Sequence, residues 1–105
     1  MSKKIIQLRI FEDTNKKMNK SVHDLNGSIL IVPQFTLYAT CQKGTRPTFT
    51  NSAPPDIAEP LFNDFIAHIK TQHPNIQTGT FAANMQVSLT NDGPVTIMLD
   101  SEIKG

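Results

Sequence analysis

The chain has 105 residues, of which 38% are apolar and 18% are charged, and its formal net charge is +1. This length is sufficient for one compact domain, or part of one, over residues 1–105, and it leaves no room for a second core. The small net charge excludes strong, unspecific binding to polyanions, although a local basic patch could still contact one nucleic-acid end.

The sequence shows no sign of a membrane span, a signal peptide, a disulfide or a zinc site. No stretch approaches the ~20 continuous apolar residues of a membrane span, and no signal peptide follows Met1. We therefore expect a cytoplasmic protein without membrane contact. The only cysteine, Cys41, excludes an internal disulfide, and no spacing of cysteine and histidine resembles a zinc site.

The first third of the chain predicts a helix tail, a short strand and then a central strand. Apolar positions between Lys3 and Phe11 begin in pairs, as on a helix, and finish in alternation, as on a strand. Residues 29–32 are too short for a helix and β-branched enough for a buried central strand. Because proline cannot donate to a strand ladder, Pro33 should direct residues 33–36 out of the regular sheet.

One amphipathic helix is predicted after the irregular residues 42–54. Apolar side chains recur at spacings of three and four from Ile57 to Ile69, with polar residues opposite them. Asp56 is the expected N-cap, although Pro60 should disturb the first turn. The dipeptide His73-Pro74 should end the helix, whose apolar face must pack on a sheet.

The last third of the chain predicts three strands, over residues 77–81, 85–90 and 95–99. Asn91-Asp92-Gly93-Pro94 has the composition of a hairpin turn between the last two. The predicted fold class is therefore α/β, with a mainly antiparallel sheet and one long amphipathic helix packed on it.

Few side chains suggest catalysis by themselves. Thr36 or Ser88 would need a nearby base to act as a nucleophile, and the three histidines fall on turns or on the polar helix face. Lys43 and Arg46 form a small basic loop that could hold a phosphate, although plain surface is the commoner alternative. A cis bond at Gly93-Pro94 would project two carbonyls in one direction, an acceptor pair suited to an ammonium group.

Three stretches together resemble the D-aminoacyl-tRNA deacylase family, formerly called D-tyrosyl-tRNA deacylase. They are Pro33-Gln34-Phe35-Thr36-Leu37-Tyr38-Ala39, Lys43-Gly44-Thr45-Arg46-Pro47-Thr48-Phe49 and Asn91-Asp92-Gly93-Pro94-Val95-Thr96. Shorter matches occur before and between them in the same order, including Leu8-Arg9-Ile10-Phe11-Glu12-Asp13 and Thr78-Gly79-Thr80-Phe81 followed by Met85. The resemblance covers essentially the whole chain.

The resemblance implies a cytosolic homodimer with its active site at the subunit interface and no cofactor or metal. Such a protein hydrolyses the ester joining a D-amino acid, or glycine mischarged on tRNA-Ala, to the terminal adenosine of tRNA. The acceptor end of aminoacyl-tRNA is then the expected partner. Because aminoacyl esters are already labile, orientation, backbone donors and the terminal ribose 2′-hydroxyl would suffice without a charged base.

The resemblance also implies roles for individual residues. Five residues would line the pocket for the aminoacyl-adenosine end: Gln34, Phe35, Phe81, Ala82 and Met85. Thr36 would be a positioning residue or the nucleophile. Gly93 and Pro94 would enter the partner subunit's pocket and capture the α-amino group with their carbonyls. Lys43 and Arg46 would contact the acceptor-end phosphates.

Two features depart from the family pattern. Pro33 stands where the family usually has serine, which removes a hydroxyl and a backbone donor beside the pocket. Family members also have a β-hairpin, most of a helix and a bracing arginine before the stretch that begins at Leu8. We therefore expect an N-terminally truncated deacylase domain. The alternative is a non-catalytic remnant that self-associates through exposed strand edges but does not turn over substrate.

Overall fold

The computed structural model describes residues 1–101, and these residues form short strands and three helical segments. In chain order the elements are α1 (Ser2–Gln7), β1 (Phe11–Glu12), β2 (Met18–Lys20), β3 (Ile29–Ile31), a 3₁₀ helix (Phe35–Tyr38), α2 (Pro55–Gln72) and β4 (Ile76–Thr78). Residues 28–84 form one compact unit, and residues 1–27 form a second with the described residues from 85 onward. The α/β class is confirmed.

The unit that contains the N-terminal residues is organised around an antiparallel strand pair. β1 pairs with β2 with an irregular register, Phe11 opposite Lys20 and Glu12 opposite Met18. The Asp13 carboxylate closes the turn by accepting hydrogen bonds from the Asn15 and Lys17 N–H groups at 2.8 and 3.1 Å and from the Asn19 amide at 2.8 Å.

The Asp13 carboxylate makes this turn sensitive to acid. The hydrogen bond from the Asn19 side chain, followed by that from the Lys17 N–H, holds the pKa of Asp13 below its usual value. A carboxyl whose pKa is depressed in the folded state stabilises the fold above its unfolded pKa. That contribution is lost as the pH falls through the lowered pKa.

The second unit contains a parallel strand pair. β3 runs beside β4 in the register Ile29 to Ile76, Leu30 to Gln77 and Ile31 to Thr78. The prediction of a mainly antiparallel sheet is therefore only partly correct, since one pair is antiparallel and the other is parallel. The reason lies in the connection: α2 separates β3 from β4, and a crossover that contains a helix returns the chain in the same direction.

Helix α2 is confirmed, with an earlier start than expected. Its N-cap is Pro54 and its first residue is Pro55, so the prediction of Asp56 as N-cap is wrong. Proline suits the first helical position because its fixed φ is already helical and its missing N–H would have no partner there. Pro60 lies inside the helix, and His73 ends it as predicted.

The apolar face of α2 is only partly covered. Ile69 is fully buried, whereas Ile57 and Leu61 are 59% and 67% exposed. The central strand is also less covered than expected, because Leu30 in β3 is 58% exposed. The core of this unit therefore lies at the C-terminal end of α2, where Ile69, His73 and Ile76 are buried.

Two predicted strands and their hairpin are not formed within residues 1–101. Residues 85–90 and 95–99 have no regular secondary structure, and residues 77–81 contribute only to β4. Alternating apolar residues favour a strand, but a strand forms only where a neighbour accepts and donates its backbone hydrogen bonds. Val87 and Leu89, which should face a core, are 54% and 69% exposed.

No helix within residues 1–101 combines the length and apolar character needed to cross a bilayer.

Candidate functional site

The parallel pairing of β3 and β4 brings two predicted site segments together. The carboxyl ends of parallel strands meet at the same edge of a sheet, where α/β proteins commonly bind ligands. The pairing extends one step beyond β4, since the Gly79 N–H donates to the Ile31 carbonyl at 2.8 Å. The chain then leaves both strands at this edge, through Pro33 on one side and Thr80 on the other.

A small cavity of about 90 Å³ lies at this edge. Its lining residues come from the two segments that leave the strands: Pro33, Gln34, Phe35, Phe81, Ala82 and Ala83. Four of these six are residues that the sequence predicts for the substrate pocket. Ala83 carries no signal in the sequence, and Pro33 stands out there as a strand breaker and as a departure from the family pattern, but not as a pocket residue.

Thr36 lies beside this cavity in the first turn of the 3₁₀ helix. Its hydroxyl oxygen accepts a hydrogen bond from the side-chain amide of Gln34. An amide donor reduces electron density on the hydroxyl oxygen and cannot remove its proton, because a carboxamide is not a base at neutral pH. This hydrogen bond orients the Thr36 hydroxyl and supplies no base to activate it.

The opposite wall is a tight turn with an unusual backbone. Ala83 donates to the Thr80 carbonyl at 3.3 Å, and Ala82 between them has a φ of 59°. A residue with a Cβ seldom adopts this left-handed conformation, which costs roughly 1–2 kcal/mol. The half-buried ring of Phe81 lies 6.3 Å from that of Phe62 on α2, with an interplanar angle of 44°. Helix α2 thus packs against this wall through the contact between Phe62 and Phe81.

The basic loop is closed at its base by two threonines. Thr40 and Thr48 exchange backbone hydrogen bonds of 2.8 Å each, and their hydroxyl oxygens are 3.1 Å apart. Lys43 and Arg46 lie on the exposed loop between them, on either side of Gly44, which has a φ of +117°. The loop therefore presents two cations on a short closed segment.

The remaining predicted site residues belong to the other unit. Met85 is half-buried, and the Gly93-Pro94 peptide bond is cis, which is the form considered for this dipeptide in the sequence. Gly93 has a φ of +126°, and a Cβ at this position would lie 3.2 Å from the Val95 nitrogen. The placement of Gly93 and Pro94 in a partner subunit's pocket stays a prediction.

A larger depression of about 490 Å³ is lined by residues between Met1 and Arg9, including Lys3 and Lys4. It contains no residue that the sequence predicts for the site. The smaller cavity is therefore the candidate site, because aromatic rings and a side-chain amide line it and that amide contacts the Thr36 hydroxyl.

The chemistry of the candidate site follows from its lining. The rings of Phe35 and Phe81 offer apolar surface for a planar group, and Gln34 and Thr36 offer polar groups beside it. None of the six lining residues is ionisable at neutral pH. Such a site can bind and orient a ligand with uncharged groups, and it supplies no charged acid or base from its lining.

Comparisons with known proteins give consistent matches over nearly the whole chain. The family model described as D-Tyr-tRNA(Tyr) deacylase matches residues 1–100. A protein of Thermosipho africanus named D-aminoacyl-tRNA deacylase is 56% identical over 102 residues, which are 97% of this chain and 68% of that protein. A protein of the same name from Teredinibacter turnerae is 54% identical over 101 residues, or 96% of this chain and 70% of its own length.

A solved structure is also similar. The "c-Myc DNA Unwinding Element Binding Protein" superposes with a TM-score of 0.86 at 43% sequence identity, and the match covers 96% of this chain and 69% of that one. The chain thus spans between 68% and 70% of the length of these three proteins. With a family match over nearly its full length and relatives more than half identical, the chain belongs to the D-Tyr-tRNA(Tyr) deacylase family.

Proposed function

We propose that this chain hydrolyses the ester that joins a D-amino acid to the terminal adenosine of tRNA, and the corresponding glycyl ester mischarged on tRNA-Ala. The names of its relatives support the reaction class. The observation that carries the proposal is the cavity at the edge of β3 and β4, where Gln34, Phe35, Phe81 and Ala82 converge. A role on aminoacyl-tRNA further implies the cytoplasm, where translation takes place.

The adenosine end of the substrate occupies this cavity in the proposal. Phe81 stacks on the adenine, as aromatic side chains do on nucleobases. Water attacks the ester carbonyl, the bond between that carbon and the ribose oxygen breaks, and the ribose oxygen takes up a proton. The products are the free amino acid and tRNA. Thr36 orients the reacting end, and the ribose 2′-hydroxyl assists, so no ionised side chain is required.

Selectivity for D-amino acids is assigned to Gly93 and Pro94. Their carbonyl oxygens accept hydrogen bonds from the substrate α-ammonium group in the pocket of a partner subunit. With the ammonium and the ester both held, a D side chain points into open space and an L side chain meets backbone. Glycine has no side chain to be rejected, which accounts for the glycyl ester as a second substrate.

Replacing Thr36 distinguishes orientation from nucleophilic attack. Thr36→Val keeps the shape and removes the hydroxyl, so a positioning role predicts a loss in kcat of roughly 2- to 12-fold, the value of one hydrogen bond. Loss of a true nucleophile costs on the order of 10⁶-fold. Single-turnover hydrolysis of D-Tyr-tRNA measures the difference, and Thr36→Ser should retain the parent rate. A near-complete loss in the valine variant would contradict the positioning role.

Neutralising the basic loop tests the contact with phosphates. The double variant Lys43→Gln, Arg46→Gln should weaken tRNA binding and reduce the slope of log affinity against log salt by roughly 1.4 to 1.8, since each cation releases about 0.7 to 0.9 counterions. Binding of uncharged tRNA over a series of KCl concentrations measures this slope. Lys70→Gln, on the last turn of α2, is the matched control. An equal slope in the double variant and in Lys70→Gln would contradict a contact between the basic loop and the tRNA phosphates.

The proposed function also implies self-association of the chain. Residues 85–90 and 95–99 expose alternating apolar side chains and have no strand partner within residues 1–101. Such segments pair readily with other chains. We expect a homodimer, measured by light scattering at micromolar concentration. A stable monomer would contradict both the dimer and a site shared between subunits.

The proposed activity itself is tested by incubating the chain with D-Tyr-tRNA and L-Tyr-tRNA and measuring the released tyrosine. We expect hydrolysis of the D ester with the L ester left intact. No turnover of either ester by a chain that still self-associates would favour the non-catalytic alternative.

A further inference from the structure

Two contacts join the end of the basic loop to the wall of the candidate site. The Ser52 hydroxyl donates a hydrogen bond of 3.0 Å to the Phe35 carbonyl oxygen. The rings of Phe35 and Phe49 meet edge to face, with centroids 5.2 Å apart and an interplanar angle of 64°. Neither Ser52 nor Phe49 has a role in the proposed reaction, and both act on the residue that precedes Thr36.

The chain between these contacts and the two cations is short and hydrogen-bonded. The Thr40 to Thr48 bridge closes the loop that holds Lys43 and Arg46, and Phe49 is the next residue. The Ser52 N–H then donates to the Phe49 carbonyl at 3.0 Å, which fixes Ser52 on the same turn. A displacement of the loop base therefore moves Phe49 and Ser52 together.

The 3₁₀ helix that contains Phe35 and Thr36 depends on contacts with other segments of the chain. The 3₁₀ helix has only four residues, and 3₁₀ hydrogen bonds have poorer geometry than those of an α-helix. Its apolar side chains are largely exposed, with Phe35 and Leu37 at 54% and 84%. The contacts from Ser52 and Phe49 are thus a substantial part of what holds Phe35 and Thr36 in place.

We propose that Ser52 and Phe49 are positioning residues that transmit the binding of an RNA phosphate at Lys43 and Arg46 to the 3₁₀ helix. The phosphate immobilises the loop, the loop holds the Phe35 carbonyl through Ser52, and Thr36 is thereby fixed beside the cavity. This inference rests on the proposed function, because it takes the phosphates to be those of the tRNA acceptor end. It predicts that the site is better ordered for an ester on RNA than for the same ester on a free nucleoside.

The single tyrosine of the chain is a natural reporter for this coupling. Tyr38 is the last residue of the 3₁₀ helix, so labelling with 3-fluorotyrosine places one ¹⁹F resonance on that element. An RNA hairpin that ends in CCA and carries no amino acid gives no ¹⁹F signal, so it can be titrated directly into the labelled protein. We expect the resonance to shift on binding in the parent and in Ser52→Thr, which retains a hydroxyl. Ser52→Ala should bind the RNA equally well and lose most of the shift.

Controls separate the coupling from a general loss of structure. Ser28→Ala, at an exposed serine in the same unit, should behave like the parent. The double variant Lys43→Gln, Arg46→Gln should abolish the shift at RNA concentrations at which the parent is fully shifted. A full shift in Ser52→Ala, or a loss in Ser28→Ala of the same size, would overturn the proposal.

Kinetics give a second readout that a purely structural role would not affect. Ser52→Ala should lower kcat for D-Tyr-tRNA roughly 2- to 12-fold with KM unchanged, as expected for one lost hydrogen bond. The rate for 3′-O-D-tyrosyladenosine, which has no phosphates, should change little. Equal losses on both substrates would contradict the coupling.

The coupling and the proposed activity can fail separately. If the parent hydrolyses neither ester but shows the Ser52-dependent shift, the proposed activity is wrong and the coupling stands. If the parent hydrolyses the D ester without that shift, the coupling is wrong and the proposed activity stands.

Discussion

Gly93→Ala is expected to lower the free energy of unfolding by about 1–2 kcal/mol and to reduce hydrolysis of D-Tyr-tRNA, with roughly 100-fold as the upper limit of the loss. The first effect follows from the φ of +126°, which L side chains rarely adopt. The second follows from the contact of 3.2 Å that the new Cβ would make with the Val95 nitrogen. A Cβ at this distance requires the neighbouring backbone to shift by a few tenths of an ångström. Groups that position a substrate tolerate little displacement, since ~1 Å can cost about 100-fold in rate.

Gly44→Ala is the matched control for this substitution. Gly44 has a similar φ of +117°, but a Cβ there would meet nothing within 4 Å. Both variants should therefore show a comparable loss of stability in chemical denaturation. Hydrolysis of 3′-O-D-tyrosyladenosine, which lacks the phosphates that the basic loop would contact, should fall only in Gly93→Ala. An equal loss of activity in the two variants would contradict a site role for Gly93.

Phe81→Ala is expected to weaken binding of an adenosine-ended substrate by about 1–3 kcal/mol, which is roughly 5- to 150-fold in Kd. Phe81 lines the cavity, and the variant would lose the ring on which the adenine is proposed to stack. Isothermal titration with a non-hydrolysable 3′-amide analogue of D-tyrosyladenosine measures the change.

The contact between Phe81 and α2 requires a control for packing. Phe62→Leu removes the ring that supports Phe81 from behind and leaves the cavity lining intact. It should reduce stability while changing the affinity for the analogue much less than Phe81→Ala does. If Phe81→Ala binds the analogue as tightly as the parent, Phe81 is a packing residue only.

The residues predicted for the candidate site follow from the resemblance of the sequence to a known family. Local chemistry marks only two features near them: Pro33 ends a strand because it lacks an N–H, and Gly93 permits a backbone that a Cβ would hinder. Helix α2 is predictable for the same reason, since its spacing of apolar residues is a local property. Only its start differs from the prediction, because Pro54 is the N-cap and Pro55 occupies the first helical position ahead of Asp56.

Strand pairing depends on residues far apart in the sequence, and local patterns do not contain it. Residues 29–31 and 76–78 show no feature that distinguishes a parallel from an antiparallel partner, although the intervening helix favours a crossover. Apolar and polar residues alternate strictly over residues 85–90, and these residues still form no strand within residues 1–101. Alternation gives a segment one apolar face, but it does not provide a neighbouring strand for backbone hydrogen bonds. The contact of Ser52 is equally invisible to local patterns, since its partner Phe35 is 17 positions away.

The proposed function requires the cavity at the edge of β3 and β4 to receive the aminoacyl-adenosine end of tRNA. A crystal structure with the 3′-amide analogue of D-tyrosyladenosine tests this requirement most directly. We expect the adenine against Phe81, with the aminoacyl group beside Gln34 and Thr36. An analogue bound instead in the depression lined by Lys3, Lys4 and Arg9, with the cavity at Phe81 unchanged, would contradict the proposed function.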